Sequence, residues 1–322
     1  MKKVLLSIVI LMTVMSLAFA GPSQQKGKTY SFVFIPKMVH PWYEAVKQGI
    51  EQAVAEYKAQ GIIVNYTWDA PPTGDILVQT EKLENAAAKK VDAIDIGILD
   101  ASVTTPIIND LVRQGVKIAT FDTDAPESDR LFYCGHADNK GDGATLAKTL
   151  AEKLEGKGDI AILSGTLSAP NHRERIEGFK AEIAKYPGIK IVDERPDEDS
   201  LEKAISLTES IIVSNPNLVG IFCCNASNPV GAARAIVDAG KKGQILIVGM
   251  DDDPETLKYI ADGTIFATIV QNVKQIGYLS IKNLILLADG KPLPQKEVEV
   301  GAFLVQQDSL DNYYKITGNK KP

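Results

Sequence analysis

An ammonium, an imidazole and two aromatic rings stand within seven residues, at Lys37, His40, Trp42 and Tyr43. Further along, Asp122 with Thr123, Asn225, Asp251 and Gln271 each sit at the end of an apolar run, and Asn171, His172 and Arg173 follow another. Carboxylates, an arginine and amides around aromatic rings suit a polyol. Ionised Asp and Arg give hydroxyl groups charge-assisted hydrogen bonds worth about 1.5–3 kcal/mol each, and a ring covers the apolar C–H face of a sugar. Taken singly, each Asp or Asn also fits a helix cap or a turn, and Trp42 and Tyr43 also fit a staple between helix and sheet. The coincidence of several is what points to a binding site.

These residues need a scaffold that brings them together. Residues 31–35 form a short strand rich in aromatic and β-branched residues, and Pro36 stops it because it has no N–H for a sheet ladder. Pro41 suits the first turn of a helix over residues 42–59, in which Trp42, Ala45, Val46, Gly49, Ile50, Ala53, Val54 and Tyr57 fall on one face. The loop between them lies at the carboxyl end of a strand, the edge where open α/β sheets bind ligands. Strands at 62–67, 93–98, 117–121 and 131–134 alternate with helices at 76–89 and 103–114. The same alternation then repeats from a helix at 140–154 to a last strand near 298–305. That grammar predicts an α/β fold of doubly wound parallel sheets covered by helices on both faces, and the number of strands fits two sheets.

Composition narrows the class. Hydrophobic residues make up 45% and charged residues 24% of the 322, as in folded soluble proteins. A net charge of −6 argues against nucleic acid, whose phosphates call for a basic surface. The chain opens Met1-Lys2-Lys3, runs apolar from Val4 to Phe19 and ends that run in Ala18-Phe19-Ala20, the pattern of a secretory signal peptide (1–20) cleaved after about Ala20. Cys134, Cys223 and Cys224 read as small core hydrophobes, since neighbours in a strand point to opposite faces. An enzyme finds no support: His40, His136 and His172 lie on different segments, and neither a Gly-x-Ser-x-Gly elbow nor a phosphate loop is present. Asp251-Asp252-Asp253 lacks the alternate spacing of a calcium loop, so no cofactor or metal is expected.

The residues also resemble a known family. Phe121-Asp122, Ala137-Asp138-Asn139, Arg173-Glu174-Arg175-Ile176-Glu177-Gly178-Phe179, Phe222-Cys223-Cys224-Asn225, Gly249-Met250-Asp251 and Ala267-Thr268-Ile269-Val270-Gln271 are similar to segments of periplasmic sugar-binding proteins of the ribose-binding type. The resemblance covers nearly all of the chain after the apolar start. It implies the type I periplasmic binding protein fold: two α/β domains, 29–136 plus 272–293 and 137–271 plus 294–322, joined by crossings near Ala137, Asn272 and Pro292 to Pro294. It further implies a periplasmic monomer that delivers a monosaccharide or sugar alcohol to an ABC transporter permease. Trp42 and Tyr43 would stack on the ligand, Asp122, Arg173, Asn225, Asp251 and Gln271 would hold its hydroxyls, and Lys37 and His40 would tune which ligand fits. Thr123 replaces an Arg that ribose binders carry, and Asp199 falls near a place where they have an aromatic. Lys37 is similar to the branch that binds rhamnose or the signal autoinducer-2, so a signal binder or a ligand-loaded partner of a sensor receptor is the alternative. The effector domain of a sugar-responsive repressor shares the fold, but the export signal and the lack of a DNA-binding segment oppose it.

Overall fold

The computed structural model describes residues 27–317. The expected signal peptide and the polar tail from residue 318 lie outside the described residues. Strands β1 (Thr29–Ile35), β2 (Ile63–Trp68), β3 (Ala93–Ile96), β4 (Ile118–Phe121) and β5 (Tyr133–Gly135) alternate with helices α1 (Tyr43–Ala59), α2 (Ile76–Ala88) and α3 (Ala101–Arg113). The second half runs α4 (Asn139–Lys153), β6 (Lys157–Leu163), α5 (Pro170–Ile183), β7 (Gly188–Arg195), α6 (Leu201–Ser214), β8 (Leu218–Cys223) and α7 (Ser227–Asp238). It continues with β9 (Leu246–Met250), α8 (Pro254–Ala261), β10 (Ala267–Gln271), α9 (Val273–Ala288), β11 (Glu297–Glu299), β12 (Ala302–Val305) and α10 (Leu310–Thr317).

Two six-stranded sheets result, in the orders β11-β5-β4-β3-β1-β2 and β12-β10-β9-β8-β6-β7. Every pairing within them is parallel except that of β12, which runs antiparallel to β10. The strands are apolar because both sheet faces are covered. On the first sheet, α1 and α9 bury Phe34, Phe121, Val46 and Ile276 on one side, and α2 and α3 bury Ile94, Ile96 and Leu83 on the other. On the second, α4 and α5 cover Ile162, Phe179 and Phe222, while α6 to α8 and α10 cover Leu163, Ile221, Ile247 and Tyr313. All three cysteines are buried and free.

The chain passes between the sheets three times. It leaves the first after β5, returns after β10 to build α9 against α1, and leaves again after β11. The last crossing corrects the expectation of Pro292 to Pro294: β11 still pairs with β5 (Val298 opposite Cys134), so the crossing falls at Val300 and Gly301. The resemblance puts the boundary at the two prolines, but buried Val298 between exposed Glu297 and Glu299 is the alternation of an edge strand. What reads as one strand over 298–305 is two, broken at Gly301, whose φ of +76° suits glycine.

Candidate functional site

The carboxyl ends of both sheets face one another across a cleft that holds a small cavity of about 40 Å3 between the two lobes. From the first lobe, β1 ends at Ile35, and the loop after Pro36 delivers Lys37 and His40 before α1 begins with Trp42 and Tyr43. Asp122 follows β4 in a left-handed conformation (φ +62°). Its Oδ2 accepts hydrogen bonds from the Tyr43 hydroxyl at 2.7 Å and the Thr123 hydroxyl at 3.3 Å, and Lys37 Nζ lies 3.4 Å away. Burial and the neighbouring Asp122 push the Tyr43 hydroxyl well above its usual pKa, so it stays protonated and donates. The Tyr43 ring packs among Trp68, Phe121 and Trp42, whose centroid lies 5.2 Å off in an edge arrangement. The staple role and the ligand-facing role of these rings are therefore compatible.

The second lobe answers with polar groups. Asp251 follows β9, again left-handed (φ +71°), and its Oδ1 accepts from Gln271 Nε2 at 3.0 Å and from Trp42 Nε1 at 2.9 Å. The Trp42 bond crosses the cleft, as does the 3.1 Å contact of His40 Nε2 with Ser227 Oγ. His40 Nδ1 accepts from the Trp42 N–H and Ser227 donates to Asp199 O, which assigns the proton of His40 to Nε2. Burial holds the His40 pKa below the ordinary value, so the ring is neutral near pH 7. At both Asp122 and Asp251 the bonds converge on one carboxylate oxygen and leave the other for a ligand. Burial raises the Asp251 pKa, opposed by Arg175, Trp42 and Gln271. Asn225 is fixed from behind: its Oδ1 caps α7 at the N–H groups of Ser227 and Asn228, and its Nδ2 donates to Asp197.

Of the ten residues singled out, Lys37, His40, Trp42, Tyr43, Asp122, Asn225, Asp251 and Gln271 line the cavity; Thr123 and Arg173 do not. Thr123 is buried behind Asp122 and supports it. Arg173 is exposed and donates to the carbonyls of Leu167 and Ser168, while Arg175 is buried against the cavity. The reason is helical phase. On α5 the buried residues Asn171, His172, Arg175, Ile176 and Phe179 share one stripe, and position 173 lies about 60° past its edge. The stripe is held close to the second lobe because a side chain on Gly143 of α4 would meet the Arg175 carbonyl at 1.9 Å, and one on Gly178 the Lys140 carbonyl at 2.0 Å. Arg175 Nη1 donates to Cys224 O at 3.1 Å, and its Nε is buried without a partner among the described residues.

Met38, Asn171, His172, Asp199 and Ala226 also line the cavity and were not singled out as contacts. Burial drives the His172 pKa down to about 4, so it is a neutral ring whose Nδ1 accepts from the Thr166 N–H. Asp199 is left-handed (φ +60°), as is Glu198 before it (φ +57°), a local strain that turns the Asp199 carboxylate inward. Burial alone would raise its pKa, but His172, Lys37, His40 and Arg175 reverse the effect and keep it low. In the sequence, Asp199 is marked only by the resemblance, which puts it near a place where ribose binders have an aromatic. No group of His, Cys, Asp and Glu among the described residues is placed to hold a metal ion.

A periplasmic binding protein domain matches residues 31–292, most of the chain and both lobes. The chain belongs to the periplasmic binding proteins. Within that family its amino-acid sequence is similar to the D-allose-binding periplasmic protein of Escherichia coli K12, at 27% identity over 271 residues, covering 81% of this chain and 86% of that one. Its structure is similar to an ABC transporter solute-binding protein from Burkholderia graminis in complex with D-arabinose, with a TM-score of 0.83 and 31% identity over 90% of this chain and 99% of the other. A solute-binding protein from Actinobacillus succinogenes with bound D-allose superposes with a TM-score of 0.80 at 27% identity, over 88% and 100% of the two chains. The chain is thus a periplasmic binding protein of the ABC-transporter solute-binding type, with the two-lobed fold of that group.

Proposed function

We propose that this binding protein captures a neutral monosaccharide or sugar alcohol in the cleft and presents it to an ABC transporter permease. The observation that carries the reading is the division of the cavity: an aromatic wall on one lobe faces a polar wall on the other. Trp42 and Tyr43 cover the C–H face of the ring, and the free oxygens of Asp122, Asp199 and Asp251 accept from its hydroxyls. Arg175 donates through N–H groups its protein bonds leave open, joined by Asn171, Asn225 and Gln271. Lys37 and His40 set which stereoisomer fits. A ligand touching both walls favours the closed form, because only that form makes every contact. The role is binding without chemistry, by an exported, periplasmic, monomeric chain. The D-allose and D-arabinose complexes of its structural neighbours support an aldose.

A thermal-shift screen of protein that has been unfolded and refolded to strip bound ligand tests this. The panel holds D-allose, D-arabinose, D-ribose, D-fucose, xylitol and autoinducer-2. A ligand of the folded state stabilises it by RT ln(1 + [L]/Kd), about 4 kcal/mol at a thousandfold excess over Kd. A large shift with an aldose or polyol is expected. A shift with autoinducer-2 alone would move the reading to a signal binder, which the buried Lys37 beside Asp122 would then serve.

A further inference from the structure

At the base of the cleft, where the chain crosses from lobe to lobe, one imidazole is held between two carboxylates. His136 lies just past β5 on the first crossing and is buried. Its Nδ1 is 2.7 Å from Oε1 of Glu299, the last residue of β11 in the first sheet. Its Nε2 is 3.1 Å from both oxygens of Asp142 on α4, which covers the second sheet. Glu299 is itself oriented by the N–H groups of Ala137 and Gly301, so it gathers the first and third crossings. The Tyr133 hydroxyl lies 2.9 Å from the backbone carbonyl of Asp122 and 3.1 Å from that of His136, so it bridges the two backbones and not the side chains.

We propose that His136, as the imidazolium, is a positioning residue that clasps the two lobes at the closed angle by joining Glu299 to Asp142. The chemistry follows from counting protons. A neutral imidazole has one N–H and one lone pair, so in this geometry it must turn a lone pair toward one of the two carboxylates; the imidazolium donates to both. Asp142 is buried, and its Oδ2 has no well-formed hydrogen bond among the described residues, so loss of the second proton strands that carboxylate. The groups facing His136 all favour the cation: Asp142 from α4 and Glu299 from β11. From β5 comes Tyr133, which stays neutral; Arg130 lies over the Tyr133 ring at 5.8 Å and is occupied by Asp124 and Glu297. Asp138 is engaged in capping α4 at the Gly141 N–H. Burial lowers the His136 pKa, but the two carboxylates outweigh it and leave it raised above the ordinary histidine value.

On this proposal opening draws α4 away from β11, so that the closed form holds this proton more tightly than the open form. Raising the pH therefore opens the cleft. The inference rests on the clamp reading only in that closure is what traps a ligand, and its test contains no sugar, so the two fail separately. Exposed Glu84 on α2 and Glu209 on α6, one on each lobe, are replaced by cysteine and labelled with a fluorophore pair; the native cysteines are buried. Single-molecule energy transfer then counts open and closed molecules from about pH 5.5 to about pH 8.5. The closed population is expected to fall about tenfold or more over that range, the lower end of the weight of one hydrogen bond to a charged group. In Glu299→Gln and His136→Asn it is expected to be low and independent of pH. A closed population absent from the wild-type protein at every pH, or a wild-type profile that is flat or shared by both variants, overturns the proposal. Circular dichroism and the variant Asp142→Asn guard against misfolding: if His136→Asn does not fold, the two carboxylate variants carry the same comparison.

Discussion

The two lobes are built to one plan and used differently. Their sheets have corresponding strand orders, β4 in one matching β9 in the other, and the residue after each of these strands is an aspartate with positive φ, Asp122 and Asp251. Asp122 draws its donors, Tyr43, Thr123 and Lys37, from its own lobe. Asp251 draws one from its own lobe, Gln271, and one from across the cleft, Trp42. The first lobe also supplies both rings, while Asn171, His172, Arg175, Asp199 and Asn225 come from the second. On the function proposed above, one lobe would receive a ligand's apolar face and the other would read its hydroxyls on closure. A duplicated fold gives equivalent positions for contacts; what differs is whether their partners are local or cross the gap.

The lobes differ in their cores as well, and the largest predicted effect lies there. Asp95 in β3 is fully buried and neither carboxyl oxygen has a well-formed hydrogen bond, whereas the corresponding β8 reads Leu218-Val219-Gly220-Ile221-Phe222-Cys223. Burial raises its pKa to about 7 against a smaller pull from Ser280. The folded chain then holds a proton that the unfolded chain, near 3.8, has released, so stability falls as pH rises between those values. The full cost above the folded pKa is on the order of 4 kcal/mol. Asp95→Asn is expected to recover most of that near pH 8 and little near pH 4. Thermal melts across this range check it, and identical pH profiles for both proteins would contradict the burial argument.

Within the site, removal of a polar-lobe contact has the next largest effect. Asp251→Ala and Arg175→Ala are each expected to weaken sugar binding by about a hundredfold or more, since each strands buried partners. Arg173→Ala, two residues away on the same helix but on its exposed side, is expected to change affinity less than about twofold. Calorimetric titration of the three variants decides the assignment, and the reverse order would restore Arg173 to the site. Trp42→Phe keeps an aromatic wall but removes the bond to Asp251 across the cleft. A loss of about tenfold, measured mainly in the dissociation rate by stopped-flow fluorescence of Trp68, is expected. Thr123→Val, which removes only a support of Asp122, is expected to cost about threefold or less in the same titration.

Much of this arrangement is legible in the amino-acid sequence, for identifiable reasons. Strand and helix periods locate the sheet edges, and the edge locates Lys37, His40, Trp42, Tyr43, Asp122, Asn225, Asp251 and Gln271 without any knowledge of contacts. The choice between Arg173 and Arg175 was legible too, through the phase of α5 set by Ile176 and Phe179, but a motif that contains both arginines hides it. Asp199 was legible only through the resemblance, not from its own residue type or spacing. It enters the cavity because two consecutive residues adopt left-handed conformations, a decision of loop geometry that neither Glu198 nor Asp199 announces by type. The third crossing was misplaced because it was carried over from the resemblance, and a three-residue edge strand is too short for its alternation to stand out against that.

The most direct test of the central claim is calorimetric titration of D-allose and D-arabinose into the refolded protein, beside Asp251→Ala. The two-lobed capture described above predicts one saturable site per chain for at least one of these sugars, with a negative heat-capacity change from burying the ring against Trp42 and Tyr43. The same titration should be nearly flat in the variant. Absence of saturable heat with either sugar, or an affinity that Asp251→Ala leaves unchanged, would contradict it.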